Sequence, residues 1–131
     1  MEKLKFTEDD LELQLKVTEI LKELGIPANL NGYHFLRHGI ILSMCDTDRM
    51  SSVTKLLYPG IARKFGTTPS RVERAIRHAI EVAFLRGNIE LLGQYFGFTI
   101  NPRKAKATNS EFIATIVDKL RLEYQSQIKN N

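Results

Sequence analysis

The stretch Ile61-Ala62-Arg63-Lys64-Phe65-Gly66-Thr67-Thr68-Pro69-Ser70-Arg71-Val72-Glu73-Arg74-Ala75-Ile76-Arg77-His78 decides the fold. Two helices that cross closely need a small residue at the contact, a glycine at the turn and apolar residues that lock the second helix on the first. Ala62, Gly66, and Val72 with Ile76 stand at suitable spacing for those three tasks. Thr68 is placed to cap the second helix and Pro69 to open it, because the amide that proline lacks would be unsatisfied there anyway. The reading is a helix-turn-helix over approximately residues 59–86, with a long second helix from Pro69 to Arg86 that Gly87 ends.

That second helix divides by chemistry. Val72, Ala75, Ile76, Ala79, Ala83 and Phe84 recur at helical spacing and are expected inside. Ser70, Arg71, Glu73, Arg74, Arg77, His78 and Glu81 are left for solvent or a ligand. Arginine can donate two bonds to guanine O6 and N7, and glutamate can accept from the cytosine amino group. Ser70, Arg77 and His78 suit phosphates, which set the depth and register of a helix without reading sequence. A face of Arg and Glu alone is often just a solvated surface, and Glu73 with Arg77 is an ordinary i,i+4 pair. The glycine turn, the short helix before it and the Thr-Pro start weigh against that blander reading.

Working outward, the remaining chain reads as helix and turn with no competing strand pattern, an all-α domain of six helices. The first spans about Glu8 to Leu24, with Thr7 as cap and Leu13, Val17, Ile20, Leu21 and Leu24 on one face. Gly25 stops it and Pro27 prevents a restart. A second runs from Gly32 or Tyr33 to Met44 behind Asn31, with Phe35, Leu36, Ile40 and Met44 along a broad apolar side, and Asp46-Thr47-Asp48 ends it. A short helix from Ser51 to Leu57 leads through Tyr58-Pro59 to Gly60–Phe65. Beyond Arg86, Asn88 caps a short helix from Ile89 to Phe96 that Gly97 closes, and a loop from Phe98 to Ala107 carries Arg103, Lys104 and Lys106. The last helix, Asn109 to about Tyr124, starts with Thr108 three residues before Glu111, the spacing of a capping box. Gln127 to Asn131 are expected to fray.

The 131 residues are enough for one domain with a real core, residues 1–131 taken together. The formal net charge of +4 says little, but its distribution says more. Residues 49–106 hold 11 Lys or Arg against 3 Glu, a local net of +8, and residues 1–48 hold 5 against 9, a local net of −4. Positive charge is gathered around the helix-turn-helix, as a phosphate-facing surface requires. Arg103, Lys104 and Lys106 are read as backbone contacts beside the recognition helix, with Thr108, Asn109 and Ser110 offering further donors.

Other functions find little to rest on. No run approaches the length of a membrane span and no secretory leader is seen, so a soluble, cytoplasmic chain is expected. Cys45 is alone, and His34 and His38, one turn apart, lack further ligands at a recognisable spacing, so neither metal nor cofactor is expected. There is no phosphate-cradling glycine loop, no HExxH and no nucleophile elbow, so catalysis has no residues to carry it. The alternatives are a helical protein-interaction module that docks to transcription machinery and, more remotely, binding of structured RNA.

Residues from about Val17 to Tyr124 closely resemble the C-terminal effector domain of the sporulation stage-zero response regulator family. The specific stretches are residues 70–83, Arg86-Gly87-Asn88-Ile89, and Lys104-Ala105-Lys106 followed by residues 108–114. The resemblance implies a six-helical domain that binds double-stranded DNA at TGTCGAA-like promoter elements, as a tandem dimer on neighbouring copies, and both activates and represses transcription. It implies base contacts from Arg71, Glu73 and Arg74, supporting contacts from Ser70, Arg77 and His78, and contact with an RNA polymerase sigma factor through residues 86–96, with Ile89 and Phe96 at matching positions. Leu91-Leu92-Gly93-Gln94 is more apolar than the serine-rich family version, and Ala107 stands where a proline commonly follows Lys-Ala-Lys. In the family a phosphoacceptor receiver precedes this domain. These residues supply none, and an isolated effector part and a stand-alone relative both stay open.

Overall fold

The computed structural model describes residues 5–46, 52–97 and 106–129. It contains α1 (Leu11–Glu23), α2 (Asn31–Cys45), a π-helical turn (Val53–Leu57), α3 (Tyr58–Phe65), α4 (Pro69–Arg86), α5 (Ile89–Phe96) and α6 (Asn109–Lys129). Among the described residues there is no strand, and the fold is the six-helix, all-α one expected.

Helix ends follow side-chain chemistry. The first helix starts three residues later than its periodicity predicts because Asp10, not Thr7, accepts from the Leu13 amide at 3.1 Å. Its other end closes as the glycine requires: Gly25 sits at φ 93°, its amide donates to the Lys22 carbonyl at 3.1 Å, and the Ile26 amide donates to the Leu21 carbonyl at 2.9 Å. Helix α2 begins at Asn31 itself, behind Leu30, with no side-chain cap, so the expected Asn31 cap is corrected. The α6 box is complete, the Thr108 amide donating to Glu111 Oε1 and the Glu111 amide to Thr108 Oγ1, both at 3.1 Å. That helix continues to Lys129, past the expected fraying point. The short helix expected to end at Leu57 is, over Val53–Leu57, a π-helical turn that runs directly into α3, the Leu57 amide reaching the Ser52 carbonyl at 3.4 Å; Ser51, its expected start, lies outside the described residues. Pro59 has no amide for the carbonyl four residues back, and the wider spacing precedes it.

Helix α2 is the centre of the packing. It touches α1, the π-helical turn, α3, α4 and α6, and from Gly32 to Met44 it is buried on nearly every side. Its glycines make this possible. A Cβ on Gly32 would fall on the Ala75 carbonyl oxygen and lie 2.7 Å from Ala79 Cβ, and one on Gly39 would lie 2.9 Å from Ile61 Cδ1. The backbone of α2 therefore rests directly on α4. Ser43 is buried within α2 and bonds back to the Gly39 carbonyl at 2.8 Å.

Packing of α3 on α4 is that of the expected motif. Gly66 takes the left-handed conformation, φ 65° and ψ 41°, and the Thr67 amide closes on the Ala62 carbonyl at 3.0 Å. Ile61, Ala62, Val72 and Ile76 are buried together in the shared core. Phe96 of α5 stacks on Phe112 of α6, 5.1 Å between centroids, and lies 5.7 Å from Phe84 of α4. One aromatic column thus joins the last three helices.

The two glycine types separate in a stability measurement. Gly32→Ala overpacks a backbone contact and is expected to lower unfolding free energy by about 3 kcal/mol, whereas Gly66→Ala, with open space but a left-handed backbone, costs about 1 kcal/mol. Urea titration checks both. The Thr108 hydrogen bonds hold the Glu111 carboxyl below its usual 4.5. Its contribution is therefore present above that value and is lost as pH falls through the lower folded one. Glu111→Gln keeps the box but removes the titration, so thermal melts should show the stability difference between wild type and variant shrink as pH falls below about 4.5.

Candidate nucleic-acid interface

Helix α4 begins sharply. Thr68 holds an extended backbone and its hydroxyl accepts from the Arg71 amide at 3.3 Å, with Pro69 at the first helical position. The start fixes the phase of the helix. Val72, Ile76, Ala79, Ile80, Ala83 and Phe84 are buried, and Ser70, Arg71, Arg74, Arg77 and His78 are exposed along the opposite face. Positions 70, 71, 74, 77 and 78 follow the spacing of a single helical stripe.

The charged members of the stripe are not equivalent. Among the described residues no carboxylate pairs with Arg71 or Arg74, and both guanidinium groups stand in solvent. Arg77 pairs with Glu73, 3.2 Å between Nη1 and Oε1. Glu73 is half-buried, so this pair narrows the directions in which its carboxylate can reach.

Lys106 is brought to the same helix from far along the chain. Its ammonium donates to Glu81 Oε1 at 2.7 Å, which pins the end of the basic loop beside α4. That hydrogen bond holds the Glu81 carboxyl below its usual value, with the charges of Lys106, Arg77 and His78 adding to the effect. Glu81 thus faces three of the residues expected at phosphates. Arg103 and Lys104 lie outside the described residues.

Asn109 stands in the first turn of α6, next to Lys106 and Thr108, along an open cleft of about 440 Å³ that Tyr58, Glu73 and Arg77 also line. Its Nδ2 donates to Tyr58 Oη at 3.0 Å and to the Glu73 carbonyl at 3.1 Å. Both amide protons are committed within the protein. Burial pushes the Tyr58 phenol up from its ordinary value of 10.0, so it stays protonated. Sequence pattern left Glu81 on the face open to solvent or a ligand but did not point to its pairing with Lys106, nor to Tyr58, because those partners lie 25 and 51 residues away.

The far end of α4 carries different chemistry. Leu85 and Ile89 are exposed large apolar side chains at 64% and 44%, on either side of the Gly87 turn. Phe96, the other residue expected at a polymerase surface, is half-buried in the aromatic column. His34 packs edge-on to Tyr33, and His38 packs edge-on to Phe65, 3.8 Å from a Glu8 oxygen. Among the described residues no three of His, Cys, Asp or Glu gather as a metal site, and no helix is long and apolar enough to cross a membrane.

A glycine-turned helix pair, an exposed basic stripe on its second helix and a lysine docked beside that stripe have the shape and charge that contact with duplex DNA calls for. Residues 17–120 match the family described as Sporulation initiation factor Spo0A C terminal, most of the chain including every element of this surface. The chain belongs to that family of DNA-binding transcription regulator domains of sporulation, which are transcription factors and not enzymes.

Proposed function

We propose that this chain, folded as one domain, reads TGTCGAA-like promoter elements by placing the amino-terminal half of α4 in the major groove. The observation that carries the reading is the pair of exposed arginines, Arg71 and Arg74, one turn apart on the second helix of the motif and without a carboxylate partner among the described residues. An uncommitted planar fork can offer both bonds to a guanine edge at once. Glu73, held at a fixed angle by Arg77, supplies the acceptor for a cytosine amino group.

Ser70, Arg77, His78 and the loop residues Arg103, Lys104 and Lys106 hold phosphates on either side of the groove, and Asn109 has a supporting role from the start of α6 through its bonds to Tyr58 and Glu73 and not through a phosphate. Binding to adjacent elements as a tandem dimer doubles the contacts without altering either surface. Exposed Ile89, four residues beyond exposed Leu85, supports an apolar contact to an RNA polymerase sigma factor, with Phe96 at the far end of the short helix anchoring it against Phe84 and Phe112. A promoter-binding role places the protein in the cytoplasm of a bacterial cell.

Fluorescence anisotropy on a duplex with two adjacent TGTCGAA-like elements, beside a scrambled duplex, tests the reading. Arg71→Ala or Arg74→Ala should weaken cognate binding by about 1 to 3 kcal/mol and relax preference at one base step. Equal losses on both duplexes would remove the base-reading role. Lys104→Ala should weaken both duplexes alike and reduce the salt slope by about one. Glu81→Gln releases Lys106 and should strengthen both, an increase that Lys106→Ala cancels in the double variant.

A further inference from the structure

We propose that the Asn109 side chain positions the DNA-reading turn and makes no phosphate contact of its own, an inference that rests on the DNA-binding reading above. The side chain bridges three elements. It starts on α6, donates to Tyr58 Oη on α3 and donates to the Glu73 carbonyl on α4. In an α-helix the carbonyl of residue 73 also takes the amide of residue 77. Asn109 therefore adds a second donor to the one turn of α4 that carries Glu73, Arg74 and Arg77.

Chemistry excludes the simpler role. A primary amide has two N–H donors, and both are spent at 3.0 and 3.1 Å. What remains is the carbonyl Oδ1, an acceptor, which offers nothing to a phosphate oxygen. The partner hydroxyl belongs to Tyr58, a residue only 7% exposed, and it is already engaged by the Asn109 amide. Together they set the rotation and depth of α4 relative to α3 and α6 at the level of the base readers. A reading constellation works only while such supporting bonds hold its geometry.

The test uses the whole chain and the substitutions Asn109→Ala, Tyr58→Phe and both together. Anisotropy on cognate and scrambled duplexes measures discrimination, and hydrogen exchange of the amides at 71–77 measures the turn without DNA. Asn109→Ala should lower the cognate-to-scrambled ratio about tenfold and Tyr58→Phe about threefold, with scrambled affinity and salt slope unchanged. The double variant should be no worse than Asn109→Ala alone, because the bonds form one unit. Protection at 71–77 should fall in each variant while that of α1 stays as in wild type.

The proposal is overturned if Asn109→Ala weakens both duplexes equally while Tyr58→Phe binds as wild type, the behaviour of a direct phosphate donor. Additive losses in the double variant, or unchanged exchange at 71–77, overturn it as well. A wild-type chain that fails to discriminate the duplexes instead removes the DNA-reading conclusion, and the exchange measurement still decides whether the clasp holds the turn.

Discussion

Everything exposed on α4 depends on how closely its buried side lies against α2. At Gly32 the two backbones approach with no side chain between them, the missing Cβ being the space that the Ala75 carbonyl and Ala79 occupy. Interiors packed this tightly move as blocks, not by continuous deformation. The close contact therefore fixes the rotation of α4 about its own axis, and with it the direction in which residues 70, 71, 74, 77 and 78 point. Ile61 against Gly39 does the same for α3 on the other side of the motif. Central α2 is a platform, and the helix-turn-helix is seated on it.

On that platform the charges are graded by their partners. Among the described residues no carboxylate pairs with Arg71 or Arg74, whereas Arg77 and Lys106 are each held by a carboxylate of α4. Pairs this exposed are worth little to folding, since solvent screens them and ordering long side chains costs entropy. Their effect is on where the cations wait. Glu73 and Glu81 keep Arg77 and Lys106 against the helix, at its flank, so the unpartnered arginines lead at the centre of the stripe. The same carboxylates lower the net positive charge that a nonspecific polyanion meets.

Two connections made late in the chain hold the surface from behind. The column Phe84, Phe96 and Phe112 joins α4 to α5 and α6, so the short α5 is anchored through its half-buried final aromatic while Ile89 at its start faces solvent. Asn109 closes the opposite side through Tyr58 and Glu73. The proposed regulatory contact at Ile89 and the proposed base readers near the start of α4 thus lie toward opposite ends of α4.

Local chemistry was legible in the amino-acid sequence by itself. The extent of α4, its Thr68 cap and glycine terminus, the Gly66 turn, the Asn88-capped α5 and the Thr108–Glu111 box all follow from rules that act within a few residues. So did the side of α4 that is buried, because periodicity of 3.6 is a local property. At the first helix the sequence pattern pointed to Thr7 as the cap, and the geometry of the turn gave that place to Asp10. Only tertiary structure decided that α2 is buried nearly all round, that Lys106 meets Glu81 and that Asn109 ties Tyr58 to Glu73. Those facts rest on contacts between residues 25 to 51 positions apart, or on helices whose mutual approach no single helix encodes. Residue types told which groups could meet DNA; packing decided which of them remain uncommitted when it arrives.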